Sequence, residues 1–273
     1  MTTHRQDRTP RFTNAGKEPL LEVEGLCLSF GGLKAVHNFC LKLPHCSLHG
    51  LIGPNGAGKT SAFNLLTGVY RPDAGRIVLD SQELIGLKPH QIASAGVART
   101  FQNIRLFSEM SVLDNVRLAC QIRGRQSLVG TLFHSANYQS QEEMIRLRAF
   151  ELLGLFDLQE RASAPASSLS YGHQRHLEIV RALATEPKVL LLDEPAAGMN
   201  SREKQDLARS IREIRSQFPI SILLIDHDMG LIMDICDRVV VLDHGVVIAN
   251  GTPTEVQNDP KVIAAYLGSV PTK

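Results

Sequence analysis

The chain has 273 residues, of which 43% are hydrophobic and 21% are charged, which is typical of a globular protein rather than a disordered or fibrous one. Its 29 basic and 28 acidic side chains leave a net charge of +1, so charge alone does not draw it to nucleic acid or anionic lipid. Its longest apolar runs are strand length, far short of the roughly 20 residues that span a bilayer. The sequence therefore favours neither a nucleic-acid partner nor a membrane-spanning segment.

Both ends of the chain are expected to lie outside its folded part. Residues 1–19 are polar and lack the apolar stretch of a secretory signal, so we expect a flexible extension on a protein that stays in the cytosol. Residues 268–273 are expected to form a short tail. Residues 20–267 are expected to form one domain.

Strand-like segments dominate the first part of this domain, and helical spacing follows. Short apolar runs indicate strands at 21–28, 35–43, 47–52 and 76–80. Apolar residues then recur every three or four positions, clearest in 142–153 and 172–184. We therefore predict a helical subdomain over about 104–185.

Strands return in the last third of the chain. They are predicted at 189–192, 221–225, 238–242 and 246–249, with helical segments after the first two. This alternation favours a parallel α/β core. Residues 252–267 are predicted as two short helices, and the small or polar segments 124–140 and 162–168 as linkers.

The five cysteines are odd in number and form no CxxC pair, which fits reduced thiols rather than a disulfide framework. One short stretch combines cysteines with histidines, the residue types that bind zinc: His37, Cys40, His45, Cys46 and His49. These residues alternate with apolar ones in two predicted strands, which scatters the directions of their side chains. The pattern favours two strands over a zinc site.

The segment after the predicted strand 47–52 matches a phosphate-binding loop. It reads Gly53, Pro54, Asn55, Gly56, Ala57, Gly58, Lys59 and Thr60, with Ser61 next. Glycines let backbone N–H groups turn inward around a phosphate, and a helix that begins near Lys59 presents its positive end to the same anion. We expect Lys59 to reach the β- and γ-phosphates of ATP and the Thr60 hydroxyl to bind Mg²⁺.

Two carboxylates follow the apolar run 189–192. Asp193 stands at the end of this predicted strand, where it is expected to hold the magnesium ion. Glu194 stands one step beyond, where a carboxylate acts on the attacking water as general base. Together with the phosphate-binding loop, they predict a P-loop NTPase.

At this point the chain resembles the ABC ATPase family over nearly all of 20–267. The most diagnostic segment is 169–175, Leu-Ser-Tyr-Gly-His-Gln-Arg, which is similar to the family's signature sequence. The resemblance implies that Ser170 and Gly172 cap the γ-phosphate held by the other subunit of a dimer. Tyr171 and His173 stand where the commonest form has glycines, and Ser170 also suits an ordinary helix N-cap.

Further motifs occur in the family's order. The resemblance implies that Gln102 contacts magnesium and the attacking water, that His227 contacts the γ-phosphate, and that Phe30 stacks on adenine. Phe30 is alternatively a core residue. Asn200 replaces the aspartate that is more usual in the D-loop. The implied fold is a P-loop core of the ABC type with an antiparallel β subdomain and a helical subdomain.

Local spellings are most similar to ATP-binding subunits of bacterial branched-chain amino acid importers of the LivG type. They include 99–103 Arg-Thr-Phe-Gln-Asn and 193–200 Asp-Glu-Pro-Ala-Ala-Gly-Met-Asn. The resemblance implies a similar but non-identical ATPase subunit, two integral membrane permease subunits and, indirectly, a periplasmic solute-binding protein. It places the chain at the cytoplasmic face of the inner membrane. The permease is expected to dock on 99–121, near exposed Phe107 and Met110, although apolar residues there also suit a core.

The motifs leave the transported solute open between branched-chain amino acids and urea, short amides or other amino acids. A soluble ABC ATPase that acts on protein or nucleic-acid assemblies is a second class of function, which the near-neutral charge disfavours for DNA. A P-loop kinase or nucleotide switch is a third. Neither a kinase nor a nucleotide switch needs a signature sequence in a helical subdomain.

Overall fold

The computed structural model describes residues 18–121 and 136–267. Most of the predicted extension 1–19, the whole tail 268–273 and most of the predicted linker 124–140 lie outside these residues. Elements are numbered below in chain order.

The first sheet is antiparallel and contains the strands predicted at the start of the domain. Its order is β2-β1-β4-β5, with β1 Leu21–Phe30, β2 Leu33–Leu43, β4 Ala74–Leu79 and β5 Gln82–Glu83. Side chains alternate between core and solvent, so that Leu26 faces Phe39 with both buried. This is the predicted antiparallel β subdomain.

The second sheet has the order β10-β9-β3-β8-β7-β6. Its strands are β3 Leu48–Ile52, β6 Val97–Arg99, β7 Val189–Asp193, β8 Ser221–Ile225, β9 Arg238–Asp243 and β10 Val246–Gly251. All neighbours are parallel except β9 and β10. Every residue of β3, β7 and β8 is buried, which explains their unbroken apolar runs. The predicted parallel α/β core is confirmed.

Nine α-helices complete the described part of the chain. They are α1 Lys59–Leu66, α2 Pro89–Ala95, α3 Val112–Gln121, α4 Ala136–Gly154, α5 Tyr171–Ala184, α6 Ser201–Gln217, α7 Met229–Ile235, α8 Pro253–Gln257 and α9 Pro260–Leu267. The last two are the predicted C-terminal pair. Thr252 caps α8 by accepting from the N–H of Glu255, and Pro253 occupies its first turn.

Helices α3, α4 and α5 pack on one another through a shared apolar core that includes Val116, Leu152 and Leu177. Between 104 and 185 the described residues hold no strand, only a single bridge between Ser111 and Pro165. These helices support the proposed helical subdomain, whose boundaries stay a prediction.

Both linker predictions need correction. Residues 136–140 are the start of helix α4, not a linker. The segment 162–168 is packed rather than free: the Ala166 N–H donates to the Met110 carbonyl, and Ala162 and Ala166 are buried. Small side chains let this segment lie close against the start of α3.

Two features of the described residues bear on the expectations from composition. Within 18–121 and 136–267, the helices lack the combined length and apolar character that crossing a bilayer requires. The same residues hold no group of three or more His, Cys, Asp or Glu side chains placed to bind a metal ion. The histidines and cysteines weighed as a zinc site lie on β2, β3 and the turn between them.

Two buried histidines predict a loss of stability in mild acid. Burial lowers the pKa of His49 and His176 to about 4, from an ordinary 6.5. The unfolded chain therefore binds more protons between these values, and stability present above pH 6.5 is lost as the pH falls towards 4. At pH 5 each histidine should cost about 2 kcal/mol relative to neutral pH.

Urea unfolding at pH 7.5 and pH 5.0 checks this prediction. His176→Phe keeps a flat ring against Phe156 and should reduce the pH dependence, because its side chain does not titrate. His90→Gln, at an exposed position, is the matched control and should leave the dependence unchanged. Equal pH dependence in His176→Phe and wild type would contradict the assignment.

Candidate active site

Four parallel strands bring the predicted site residues to one edge of the second sheet. The phosphate-binding loop follows β3, and His227 follows β8. Asp193 is the last residue of β7, Glu194 comes directly after it, and Gln102 follows β6. Since these strands are neighbours in the order β3-β8-β7-β6, their carboxyl ends meet at the same place. Ligands of open α/β sheets bind at this kind of edge.

The loop between β3 and α1 has the backbone that only glycine allows. Gly58 has φ of 101°, and a side chain there would place its Cβ 2.3 Å from the Ala35 carbonyl oxygen. A Cβ on Gly53 would lie 2.0 Å from the Leu242 carbonyl oxygen. Gly56 also has positive φ but opens onto free space. The loop is thus packed underneath and open on one side, as a phosphate cradle requires.

Lys59 lies beneath this loop with 6% of its surface exposed. Its Nζ donates to the carbonyl oxygens of Gly53, at 2.7 Å, and Pro54, at 2.9 Å. Burial lowers the pKa of Lys59, while the negative charges of Glu194 and Asp193 act in the opposite direction. Thr60, in the first turn of α1, is exposed, and Ser61 is half-buried. This buried cation and the helix N-terminus fit a polyphosphate.

Asp193 is held by a buried arginine that the sequence analysis missed. Arg99 Nη2 lies 2.7 Å from Asp193 Oδ2, with 7% and 4% of the two side chains exposed. The other terminal nitrogen of Arg99 donates to Asn64 Oδ1 at 2.7 Å. The Thr100 hydroxyl accepts from the Asp193 N–H at 3.1 Å. The end of β6 therefore orients the carboxylate proposed to bind magnesium.

Glu194 is held on both oxygens. Gln102 Nε2 donates to Glu194 Oε2 at 3.0 Å, and His227 Nε2 lies 2.8 Å from Glu194 Oε1. The Glu194 backbone is left-handed, with φ of 48°, and its N–H donates to the Ile225 carbonyl. This conformation costs on the order of 1 kcal/mol or more in a residue with a side chain. The structure therefore brings together the three residues predicted for catalysis.

A further buried carboxylate joins two loops of the site. Asp226 accepts from the N–H groups of Ala196, at 3.0 Å, and Asp228, at 2.8 Å. Burial raises its pKa, and the two N–H donors oppose that shift. Asp226 thus ties the turn after β7 to the turn that carries His227, a role that its position beside His227 alone did not indicate.

The predicted magnesium ligands are a hydroxyl, an amide and a carboxylate: Thr60, Gln102 and Asp193. Oxygen donors of these types suit Mg²⁺. Asp193 has one oxygen on Arg99, and Gln102 uses its amide nitrogen, so each keeps an oxygen that its own hydrogen bond leaves open. The donor set fits the ion.

Phe30 lies at the end of β1 with 46% of its surface exposed, so it is not a core residue. Its ring meets Tyr70 edge-on, with centroids 5.3 Å apart. This contact holds the ring while leaving it open to solvent, which suits stacking on a flat base.

The signature residues contact their own chain in this structure. Ser170 caps α5, as the sequence allowed, with Oγ accepting from the His173 N–H. A Cβ on buried Gly172 would lie 3.1 Å from Glu203 Oε1, so a larger residue there would push the Glu203 carboxylate aside by a few tenths of an ångström. Asn200 caps α6 by accepting from the N–H groups of Arg202 and Glu203, both at 3.0 Å. The D-loop asparagine therefore already has two partners.

An apolar groove of about 580 Å³ lies beside β6 and the Gln102 loop. Its lining includes Val69, Ile92, Phe101, Leu106 and Phe107. Phe107 is 47% exposed, whereas Met110 is half-buried and so was wrongly expected to be exposed.

Comparison with known proteins accounts for this arrangement. Residues 36–197 match the family model described as ABC transporter, and 47% of residues are identical to the high-affinity branched-chain amino acid transport ATP-binding protein LivG of Escherichia coli K12, with 92% of this chain and 98% of LivG covered. The chain belongs to the ABC transporter ATP-binding family. It is accordingly an ATP-binding and ATP-hydrolysing protein.

Other members of the ABC family agree. BraF of Pseudomonas aeruginosa, another high-affinity branched-chain amino acid transport ATP-binding protein, is 45% identical over 92% of this chain and 98% of its own. Residues 246–270 also match a model described as branched-chain amino acid ATP-binding cassette transporter. The crystal structure of the ABC cassette MJ1267 in its ADP conformation is similar with a TM-score of 0.80 and 30% identity, covering 93% of this chain and all of that one.

The Arg99–Asp193 pair generates a stability prediction for this ABC ATPase. Arg99→Met should lower the free energy of unfolding by about 3 kcal/mol, because it leaves a buried carboxylate without its cation. Adding Asp193→Asn should restore most of this loss, since the uncompensated charge is then removed. Urea titrations without nucleotide measure both values.

Arg76→Met is the control, because Arg76 forms an exposed pair with Glu83 and the substitution should change the free energy of unfolding little. If Arg99→Met and Asp193→Asn add without interaction, the two side chains are not coupled as the distance indicates.

Proposed function

We propose that this ATPase energises a bacterial importer of branched-chain amino acids, Leu, Ile and Val. The catalytic groups are common to ABC ATPases and carry no information on cargo. The proposal rests on the match of residues 246–270 to a branched-chain amino acid cassette model, because this segment lies outside the shared motor residues. The names of the relatives that are 47% and 45% identical point to the same cargo.

In the proposed mechanism, the loop 53–60 and Ser61 bind the phosphates of ATP and Phe30 stacks on adenine. Lys59 exchanges its contacts with Gly53 and Pro54 for phosphate oxygens, which the free side of the loop allows. Thr60, Gln102 and Asp193 would hold Mg²⁺. That ion would supply positive charge against the β- and γ-phosphates as their bond breaks.

Glu194 is the proposed general base. Its carboxylate takes a proton from the water that attacks the γ-phosphorus, while the bond from phosphorus to the bridging oxygen breaks. Each oxygen has one contact in this structure, with Gln102 or His227, and keeps a second lone pair that can accept from the attacking water. His227 is the residue proposed to contact the γ-phosphate.

The site is proposed to be completed by a second, non-identical ABC ATPase subunit. Ser170, Gly172 and the N-terminus of the 14-residue helix α5 would cap the nucleotide bound by that subunit. Ser170 would donate its hydroxyl proton to the phosphate while its oxygen continues to accept from the His173 N–H. The proposed assembly adds two integral permease subunits and, indirectly, a periplasmic solute-binding protein. The chain would sit at the cytoplasmic face of the inner membrane, without nucleic acid.

The apolar groove is the proposed docking site for a cytoplasmic helix of the permease. Phe101 and Phe107 line it, and Phe101 directly precedes Gln102, so an occupant would touch the segment that holds Glu194. The membrane partner would then lie one residue from the proposed catalytic machinery.

Removing the proposed base tests the motor. Glu194→Gln keeps the size of the side chain but does not accept a proton, so kcat for ATP should fall on the order of 10² to 10⁴. Fluorescent ATP-analogue binding should be retained, since Lys59 and the loop are intact. Glu213→Gln, at an exposed site on α6, is the control. Near-normal turnover by Glu194→Gln would rule out its role as base.

Uptake of labelled leucine tests the cargo. Cells that carry wild-type protein in place of the native copy should take up leucine, and unlabelled valine and isoleucine should compete whereas urea should not. Glu194→Gln should abolish this uptake. If leucine uptake is unaffected by Glu194→Gln, or urea competes, the branched-chain proposal fails while the ATPase remains.

If the groove is the docking site, a substitution in it should weaken the association of the protein with the membrane subunits. Phe107→Ser should shift the protein from the membrane fraction to the soluble fraction, because it removes an exposed apolar contact without touching the nucleotide loop. Met144→Ser, 65% exposed on α4 and outside the groove, is the matched control and should stay with the membranes. A wholly soluble wild-type complex would instead favour an ABC ATPase without a transport role.

A further inference from the structure

Helix α5 carries a buried cation that the proposed mechanism does not use. Arg175 is 2% exposed and is among the largest fully buried side chains of the described residues. It lies one turn after Tyr171, at the start of the helix that presents the signature sequence. A buried guanidinium is costly unless several acceptors surround it.

Arg175 holds the backbone of the loop that carries Gln102. Its Nη1 donates to the Phe101 carbonyl at 2.5 Å, and its Nη2 donates to the Gln102 carbonyl. Glu178 completes the contact: it pairs with Arg175 Nη1 at 3.1 Å and accepts from the Phe101 N–H at 3.2 Å. One turn of α5 thus satisfies three backbone groups of two consecutive loop residues.

The same guanidinium reaches the signature turn, residues 170–172 at the start of α5, and through it the D-loop. Arg175 Nη2 donates to the Tyr171 hydroxyl at 3.1 Å. The Tyr171 ring lies against Gly198, where an added Cβ would be 3.1 Å from a ring carbon. Gly198 has φ of 75°, and the D-loop continues from it into α6. Arg175 therefore connects the Gln102 loop, the signature turn and the D-loop within one subunit.

We propose that Arg175 is a positioning residue that couples the Gln102 loop to the signature turn, with Tyr171 extending this coupling to the D-loop. This inference rests on the proposed function. An occupant that moves Phe101 in the groove pulls on Arg175 and hence on the N-terminus of α5. Movement of the signature turn against the second subunit pulls on the Gln102 backbone and hence on the contact with Glu194.

Charge balance argues that these residues do more than fill space. Arg175 and Glu178 are both buried and opposite in charge, and a well-packed apolar pair of similar volume is often as stable as a buried ion pair. What an apolar pair would lack is the set of directed bonds to the carbonyls of Phe101 and Gln102. The arginine fork is suited to two acceptors held at a fixed spacing.

The test compares Arg175→Met, Arg175→Lys and Tyr171→Phe in the transporter assembled with its permease and second ATPase subunit in membrane vesicles. Measurements are kcat and KM for ATP, leucine uptake per ATP hydrolysed, and the amount of assembled subunit from nucleotide-analogue binding. Arg215→Met is the control, since Arg215 pairs with Asp237 outside this network.

For Arg175→Met we expect kcat per assembled subunit to fall about tenfold or more, with KM for ATP within about twofold of wild type. Leucine uptake per ATP should also fall, because hydrolysis is then no longer coupled to the permease helix in the groove. Arg175→Lys should recover part of kcat, since an ammonium group reaches one carbonyl but not two. Tyr171→Phe should lower kcat when it is made in the wild-type protein, but it should not lower kcat further when it is added to Arg175→Met.

A purely structural role would lower the amount of assembled subunit while leaving kcat and the uptake ratio per subunit at wild-type values, and that result would overturn the inference. Additive effects of Tyr171→Phe and Arg175→Met would overturn the link through the hydroxyl. If the wild-type transporter hydrolyses ATP but moves no leucine, the cargo proposal fails alone, and the kcat and KM split still decides the role of Arg175.

Discussion

The carboxylate of Glu194 depends on two partners that lie far from it along the chain, Gln102 at 92 positions and His227 at 33. Each partner stands at the carboxyl end of its own parallel strand, so their meeting depends on the strand order β8-β7-β6. The buried bonds of these strands are the part of a fold that opens least readily. The site residues are therefore attached directly to the part of the fold that opens least readily.

Two buried arginines near this edge each pair with a buried carboxylate. Arg99 faces Asp193, and Arg175 faces Glu178, with every side chain at most 7% exposed. Lys59 lies between carbonyl oxygens and feels Asp193 and Glu194 at a longer distance. A negatively charged substrate therefore meets a site in which Lys59 has no carboxylate in direct contact. The preference for a negatively charged substrate at Lys59 arises from this arrangement of charges rather than from the net charge, which for the whole chain is only +1.

Local patterns predicted the phosphate loop, the two carboxylates at the end of the apolar run 189–192 and most strands, because each rests on residues within about ten positions. The pairs formed by Arg99 and Asp193 and by Arg175 and Gln102 were missed, since these partners are 94 and 73 positions apart. Nothing in the sequence of 99–103 distinguishes a buried Arg99 from a solvated one. Small and polar residues predict a linker over 124–140, whereas α4 begins at Ala136. Polar residues near a helix start satisfy a helix and a loop equally well.

The left-handed backbone at Glu194 sets stability and activity against each other at one position. A glycine there would adopt φ of 48° without the cost that a side chain incurs, but it would also lose the contacts that Glu194 makes with Gln102 and His227. Backbone strain therefore favours replacing Glu194, whereas these contacts and the proposed role in turnover favour keeping it. Laboratory evolution for heat resistance, without a demand for ATP hydrolysis, would remove the last of these constraints and leave strain and the two contacts to decide whether the carboxylate survives.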